Sequence, residues 1–250
     1  MRNPRSTLCR ILVLASLVAS PAAVQAGANS APFALLELFT SEGCSSCPAA
    51  DRLLTEIAAR ARSRGERIIT LEFHVDYWNH LGWTDPFSSH EFSVRQNGYA
   101  RVFRSSQVYT PQLVINGVDQ RVGSDRRGVE ASIARALSRP SPATLRLNVT
   151  HEGAVYRVAY LASAVPAGAL LCVALTDSSA VTRVGAGENS GATLTHTNVV
   201  REFVTTPLGD RLEGVVTLRH ATTKQTPGTR VIAFLQDAKT LAVWAAAVER

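Results

Sequence analysis

The chain has 250 residues, 46% apolar and 18% charged, enough apolar material to bury a core and too ordered a composition for a disordered chain. Its 26 basic residues exceed its 20 acidic ones, but Arg2, Arg5 and Arg10 lie in a segment expected to be removed, which leaves 23 basic residues against 20. So small an excess excludes composition as an argument for nucleic-acid binding.

Residues 1–26 read as a secretory signal peptide. Three arginines precede an uncharged apolar stretch from Ile11 to Ala19, Pro21 breaks it, and Val24, Gln25 and Ala26 offer small residues for cleavage. The stretch is shorter than the roughly 20 residues a bilayer span needs, and no other run is long enough. The expectation is an exported protein, secreted or periplasmic, with no membrane span after cleavage. Cys9 leaves with the signal, so Cys44, Cys47 and Cys172 remain. One close pair and a bystander are not a disulfide framework.

Residues 32–40 form a nearly continuous apolar run, as expected of a strand covered on both faces. After a turn at residues 41–48, apolar residues recur at Ala50, Leu53, Leu54, Ile57, Ala58 and Ala61, one face of a helix that Gly65 ends. Residues 67–75 read as a second buried strand. The three together make a βαβ unit with parallel strands. An aromatic-rich segment follows; nine of the chain's 16 aromatic residues fall within residues 73–109. Ser88, three residues before Glu91, suggests a capping box opening a helix that carries Phe92, Tyr99, Val102 and Phe103. Thr110 and Pro111 lead into a strand, Asn116-Gly117 marks a turn, and Ser124 or Asp125 can cap a last helix with Val129, Ile133 and Leu137.

Pro140 and Pro142 then interrupt the chain and place a domain boundary, residues 27–139 before it and 140–250 after it. Beyond the boundary, short alternating segments near 143–149, 154–162, 169–176, 197–205, 211–219, 229–236 and 241–248 argue for a β-sandwich-like domain. Residues 177–196 read as a long loop.

Chemistry concentrates in Cys44-Ser45-Ser46-Cys47, at the junction of the first strand and helix. Cysteines three apart there can reach disulfide distance. The helix N-terminus favours a thiolate at Cys44, the species that thiol–disulfide exchange requires. On this reading Cys44 is the accessible nucleophile and Cys47 the shielded, resolving thiol. A zinc site would want a second ligand pair, and no second CxxC exists.

Residues 37–48 with Asp51, the segment 73–78 with 81–87, the segment 109–117, and Gly187-Glu188-Asn189-Ser190-Gly191 with Leu194, His196, Asn198 and Arg201 together resemble the secreted thioredoxin-like proteins of domain of unknown function family 1223. The resemblance covers nearly all of the mature chain. It implies an α/β thioredoxin-like domain and export, with no established substrate, so that the expected fold class is an α/β thioredoxin-like domain followed by the all-β sandwich-like domain read from the alternating segments. At the fold level it also implies a cis-proline at Pro111 facing the cysteines, with Thr110 presenting its backbone to a substrate. The chain departs from thioredoxin in lacking a Trp before Cys44 and in having Ser45-Ser46 between the cysteines.

Other candidates follow from position. Glu37, an acid in an apolar strand, could relay the proton of Cys47 if burial raises its pKa. Trp78 and Trp83, in a loop-like segment, could line a groove for a substrate chain. His74 could tune a thiolate or bind a metal. Cys172 reads as a buried, inert thiol. The glycine-rich segment around Gly185, Gly187 and Gly191 could dock on the first domain or bind a ligand. The leading reading is an exported thiol–disulfide oxidoreductase acting on protein thiols, protein disulfides or small thiols, with no dissociable cofactor and no bound metal. The alternatives are a metal-binding or metal-delivery protein using Cys44, Cys47 and His74, and a non-catalytic adaptor binding through its β domain.

Overall fold

The structure, a computed structural model, describes residues 31–220 and 228–249. The expected signal peptide lies outside the described residues.

Strand β1 (Ala34–Thr40) leads into helix α1 (Cys47–Arg64), and β2 (Ile68–His74) returns parallel to β1 in full register, Ala34 opposite Ile68 through Thr40 opposite His74. The predicted apolar face of α1 is buried as a whole, and Gly65, at φ +66°, closes the helix by donating to the carbonyls of Ala61 and Arg62. A single 3₁₀ turn, Asn79–Leu81, precedes α2 (His90–Val102). Its N-cap is Ser89, which accepts from the Glu91 N–H at 3.2 Å, one residue later than the expected Ser88. Strands β3 (Gln112–Ile115) and β4 (Asp119–Val122) form the expected hairpin, and α3 (Arg126–Leu137) is capped by Asp125. The Thr110–Pro111 peptide is cis.

Strands β5 (Thr144–Glu152), β6 (Val155–Ser163), β7 (Ala169–Asp177), β10 (Val199–Pro207), β11 (Glu213–Arg219), β12 (Thr229–Asp237) and β13 (Val243–Glu249) follow the alternating segments read from the sequence. Residues 177–196 are not one long loop. They contain a hairpin of β8 (Ala180–Arg183) and β9 (Thr193–His196), whose registers run from Ala180 opposite His196 to Arg183 opposite Thr193.

The expected fold class, an α/β thioredoxin-like domain followed by a separate β-sandwich, is overturned. The described chain is mostly β, with three α-helices against thirteen strands. One mixed sheet of eight strands in the order β13-β12-β7-β10-β2-β1-β3-β4 takes strands from both sides of the proline interruption. The seam is narrow: β10 pairs parallel with β2 through Val199 and Glu72, supported by the Glu72 N–H donating to the Asn198 carbonyl at 3.1 Å. Without β10 the outer edge of β2 would be an unpaired strand edge, a liability that folded proteins cover.

Three apolar clusters hold this frame. On one face of the sheet, Leu36, Leu38, Leu113 and Ile115 pack against Leu53, Leu54 and Ile57 of α1 and Val129 and Ile133 of α3. On the other, Leu35, Phe39, Leu71 and Phe73 meet Phe92 and Tyr99 of α2, and the cluster continues into Cys172 of β7 and Phe234 of β12. The third cluster joins Leu171, Val173, Val231 and Leu235 of the large sheet to Leu145, Tyr156, Val158 and Leu218 of a three-stranded sheet, β11-β6-β5. The Asn116–Gly117 turn closes the structure on itself. Both residues have positive φ, the Val243 N–H donates to the Asn116 carbonyl at 2.9 Å, and a Cβ on Gly117 would lie 1.8 Å from the Leu241 carbonyl oxygen.

Candidate functional site

Residues 41–46 turn the chain from β1 into α1, and Cys44 and Cys47 are joined there by a disulfide with a Cα–Cα separation of 5.4 Å. Cys47 is the first residue of the helix, and Pro48 beside it fits the first turn, where no intrahelical acceptor exists for its N–H. Cys44 stands outside the helix; its carbonyl accepts from the Cys47 N–H at 3.2 Å, and its sulfur lies 3.3 Å from Ser46 Oγ. The Ser46 hydroxyl also donates to the Thr110 carbonyl at 3.5 Å, which brings the Thr110–Pro111 segment against the cysteine turn. In this oxidised form the expected difference in accessibility is absent: both cysteines are 0% exposed, and the exposed residues are Ser45 and Ser46 between them.

The glycine-rich segment between β8 and β9 lies on this turn. The Asn189 side-chain amide donates to the carbonyls of Glu42 and Cys44, at 2.8 and 2.9 Å, and the Ser45 N–H donates to Glu188 Oε2 at 2.9 Å. Hydrogen bonding from Ser45 holds the Glu188 carboxyl below its usual value. Gly185 and Gly187 sit against Trp83 so closely that a Cβ on either would come within 3.0 and 3.2 Å of its side chain. Both tryptophans singled out in the sequence are half-buried here. Trp83 Nε1 donates to Glu42 Oε2 at 2.8 Å, and Trp78 Nε1 donates to Thr110 Oγ1 at 2.8 Å. Gly43 gives Trp78 room, since a Cβ there would stand 3.1 Å from the Trp78 Cβ.

Behind the turn is a buried polar cluster. Glu72 and His74 alternate on one face of β2, Asp51 lies one helical turn beyond Cys47 on α1, and His196 ends β9. Each is at most 2% exposed. His74 Nδ1 is 2.7 Å from Asp85 Oδ2, and His196 Nε2 is 3.3 Å from Glu42 Oε1. Thr40 Oγ1 donates to Asp51 Oδ1 at 2.7 Å, and the Thr197 N–H donates to Glu72 Oε1 at 3.0 Å. Burial disfavours charge on every one of these groups, and their neighbours decide the outcome. Burial and the adjacent Glu72 lift Asp51 to about 7. Burial also pushes Glu72 up, but His196 and His74 beside it hold it below its usual value. Burial lowers both imidazoles; Asp85 outweighs it at His74 and raises it to about 9, while Glu42 and Glu72 raise His196 to about 10.

The profile of a protein family described as "Protein of unknown function (DUF1223)" matches residues 35–236. This chain belongs to that family. Among solved structures, it is similar to the crystal structure of a protein from Agrobacterium tumefaciens, with 27% identity over 88% of this chain and 95% of that one and a TM-score of 0.66. No curated protein matches the chain.

In this family member Glu37 is buried, as expected, but cannot serve Cys47. Alternation along β1 sends Leu36 and Leu38 toward α1, and Glu37 with Leu35 and Phe39 to the opposite face. There it accepts from Arg95 Nε at 2.7 Å and from the Tyr99 hydroxyl. The Arg95 guanidinium lies within 5.5 Å of the rings of Phe73, Tyr99, Phe203 and Phe234. The pair is a buried salt bridge in an aromatic box, on the face of β1 opposite α1, so the expected proton relay from Glu37 to Cys47 does not hold. Cys172 is buried, and burial pushes its thiol up to about 11. His74 stands with Glu72, Asp51 and His196 instead of with the cysteines. Asp51 and His196 both fall within the segments that resemble the family, but by sequence Asp51 sits in a helix and His196 in a stretch that reads as loop. Glu72, alternating with His74, carries no signal by sequence, because a Glu inside an apolar strand has no spacing pattern of its own.

Proposed function

We propose that this protein exchanges the Cys44–Cys47 disulfide with the thiols of an exported protein or a small thiol. A partner thiolate attacks one sulfur of the pair, forming a mixed disulfide and releasing the other cysteine as a thiolate. A second partner thiol then displaces the bound cysteine. The partner leaves as a disulfide, and Cys44 and Cys47 are left as a dithiol, two electrons and two protons having been transferred. The reverse sequence oxidises the pair.

The observation that carries this reading is the position of the disulfide: a three-residue bridge at the N-terminus of an 18-residue helix, where the aligned peptide dipoles favour the thiolate formed when the bridge opens. The Thr110 main chain and the half-buried Trp78 and Trp83 beside the exposed Ser45 and Ser46 supply a surface for the partner chain. Because both sulfurs are covered, exchange proceeds through a local opening of this turn.

The test is a trap. In Cys47→Ser the nucleophile and helix remain but the resolving thiol is gone, so reducible adducts through Cys44 should accumulate with envelope proteins or added glutathione, and Cys44→Ser should give far fewer. No adduct by mass on Cys47→Ser, together with a wild-type pair that resists dithiothreitol in the native protein, would return the bridge to a static structural role.

A further inference from the structure

We infer that Asp51, Glu72, His74 and His196 form a closed binding site for one divalent first-row transition-metal ion, with zinc the best fit. The site is separate from the disulfide and independent of the exchange reading.

Five buried side-chain atoms among the described residues have no hydrogen-bond partner, and four of them are Asp51 Oδ2, Glu72 Oε2, His74 Nε2 and His196 Nδ1. Orphaned polar atoms are rare in native interiors because each costs its desolvation without return. Four that converge are not four separate accidents. His196 Nδ1 is 3.3 Å from Glu72 Oε2 and 3.9 Å from Asp51 Oδ2, and His74 Nε2 is 3.8 Å from Glu72 Oε2. The donor atoms of Glu72, His74 and His196 all lie within 4.8 Å of one another. Four ligands at about 2.0–2.2 Å around tetrahedral zinc stand roughly 3.3–3.6 Å apart; the Glu72–His196 pair already has that spacing, the His74–Glu72 and His196–Asp51 pairs close to it by a few tenths of an ångström, and Asp51, near His196, completes the shell by moving in toward the other three.

What surrounds these atoms supports the same reading. Each of the four side chains is held by its other polar atom: His74 by Asp85, His196 by Glu42, Asp51 by Thr40 and Glu72 by the Thr197 N–H. Two carboxylate–imidazole pairs turn the remaining ring nitrogens inward, the arrangement that fixes histidine ligands on metal ions. Four carboxylates, Glu42, Asp51, Glu72 and Asp85, crowd two imidazoles in a space that excludes water, and a divalent cation answers that charge. Two nitrogens and two oxygens suit zinc and its borderline neighbours better than calcium or magnesium, which prefer oxygen alone. With four protein ligands and no exposed one the shell is that of a structural ion, tying α1, β2 and β9 together.

The full chain, stripped with chelator and dialysed, is titrated with Zn²⁺ by calorimetry and with Co²⁺ by visible absorption. One ion per chain, a rise in Tm on adding Zn²⁺, and Co²⁺ bands without a thiolate charge-transfer band are expected. Asp85→Asn, which weakens the outer partner of His74 while keeping an amide oxygen for the Glu42 or Phe87 N–H, should weaken the ion by about 10- to 100-fold, and His196→Ala should abolish it. The Cys44→Ser, Cys47→Ser double variant should keep it; loss of the ion in that variant would move the site to the cysteines and overturn the assignment. So would a wild-type chain that takes up neither Zn²⁺ nor Co²⁺, or unchanged affinity in both Asp51→Asn and Asp85→Asn, two substitutions mild enough to leave the fold intact.

Discussion

Asn189→Ala should make the disulfide easier to reduce without unfolding the protein. The Asn189 amide spends both of its hydrogens on the cysteine turn, one on the Glu42 carbonyl and one on the Cys44 carbonyl. Net hydrogen-bond contributions run at about 0.5–1.5 kcal/mol each, so losing both lowers the cost of local opening by about 1–3 kcal/mol. Attack on a covered sulfur waits on that opening, and the reduction rate should rise by roughly 5- to 150-fold. The assay is reduction by a phosphine at fixed pH, quenched with a maleimide and read by mass, alongside Tm and far-UV circular dichroism. The Cys172 thiol serves as an internal control, because it should label only when the whole molecule opens. If wild type and Asn189→Ala are reduced at the same rate, or if Cys172 labels in step with the pair, the glycine-rich segment is not what guards the disulfide.

Cys172 itself should resist iodoacetamide in the native protein at pH 8. Its thiol ionises only toward a pH of about 11, so the stabilising preference for the neutral form is intact below the ordinary thiol range and is lost as pH rises through the folded value; urea should bring labelling up at once. Arg95→Met strands Glu37 in the aromatic box and should cost about 3–5 kcal/mol in chemical denaturation, with part recovered by adding Glu37→Gln. Glu37→Gln alone should leave the reduction rate of the disulfide unchanged, whereas a proton relay would slow it. Gly117→Ala drives a Cβ into the Leu241 carbonyl at a positive φ and should destabilise by about 2–4 kcal/mol, seen as a lowered Tm.

How much of this was legible in the sequence depends on how far apart the interacting residues lie. The apolar period of α1, the Asn116–Gly117 turn and the alternating segments after residue 143 are local signals, and the elements stand where those signals put them. The seam between Val199 and Glu72 is not local. Nothing in either segment announces that β10 covers the edge of β2, while Pro140 and Pro142 made a break look complete. The candidate site divides the same way. The cysteine pair is a motif of four residues and was plain. The Glu72, His74, Asp51 and His196 cluster draws on a strand, a helix and a hairpin over 140 positions apart, and the hairpin itself hid in a stretch whose glycines read as loop. Glu37 misled because burial was right and the face was wrong: one step along a strand reverses the direction of a side chain.

The order of the large sheet also sets a timetable. The strands that flank the β1–β2 pair on its open side, β10, β7, β12 and β13, are made after it, and the turn at Asn116 waits for Val243 near the end of the chain. An emerging or translocating chain therefore holds an uncovered strand edge beside its cysteines until more than a hundred further residues have arrived. Such long-range pairings fold slowly and leave sticky intermediates. A chain halted before β10 is exposed to aggregation along β2 in a way the finished molecule is not.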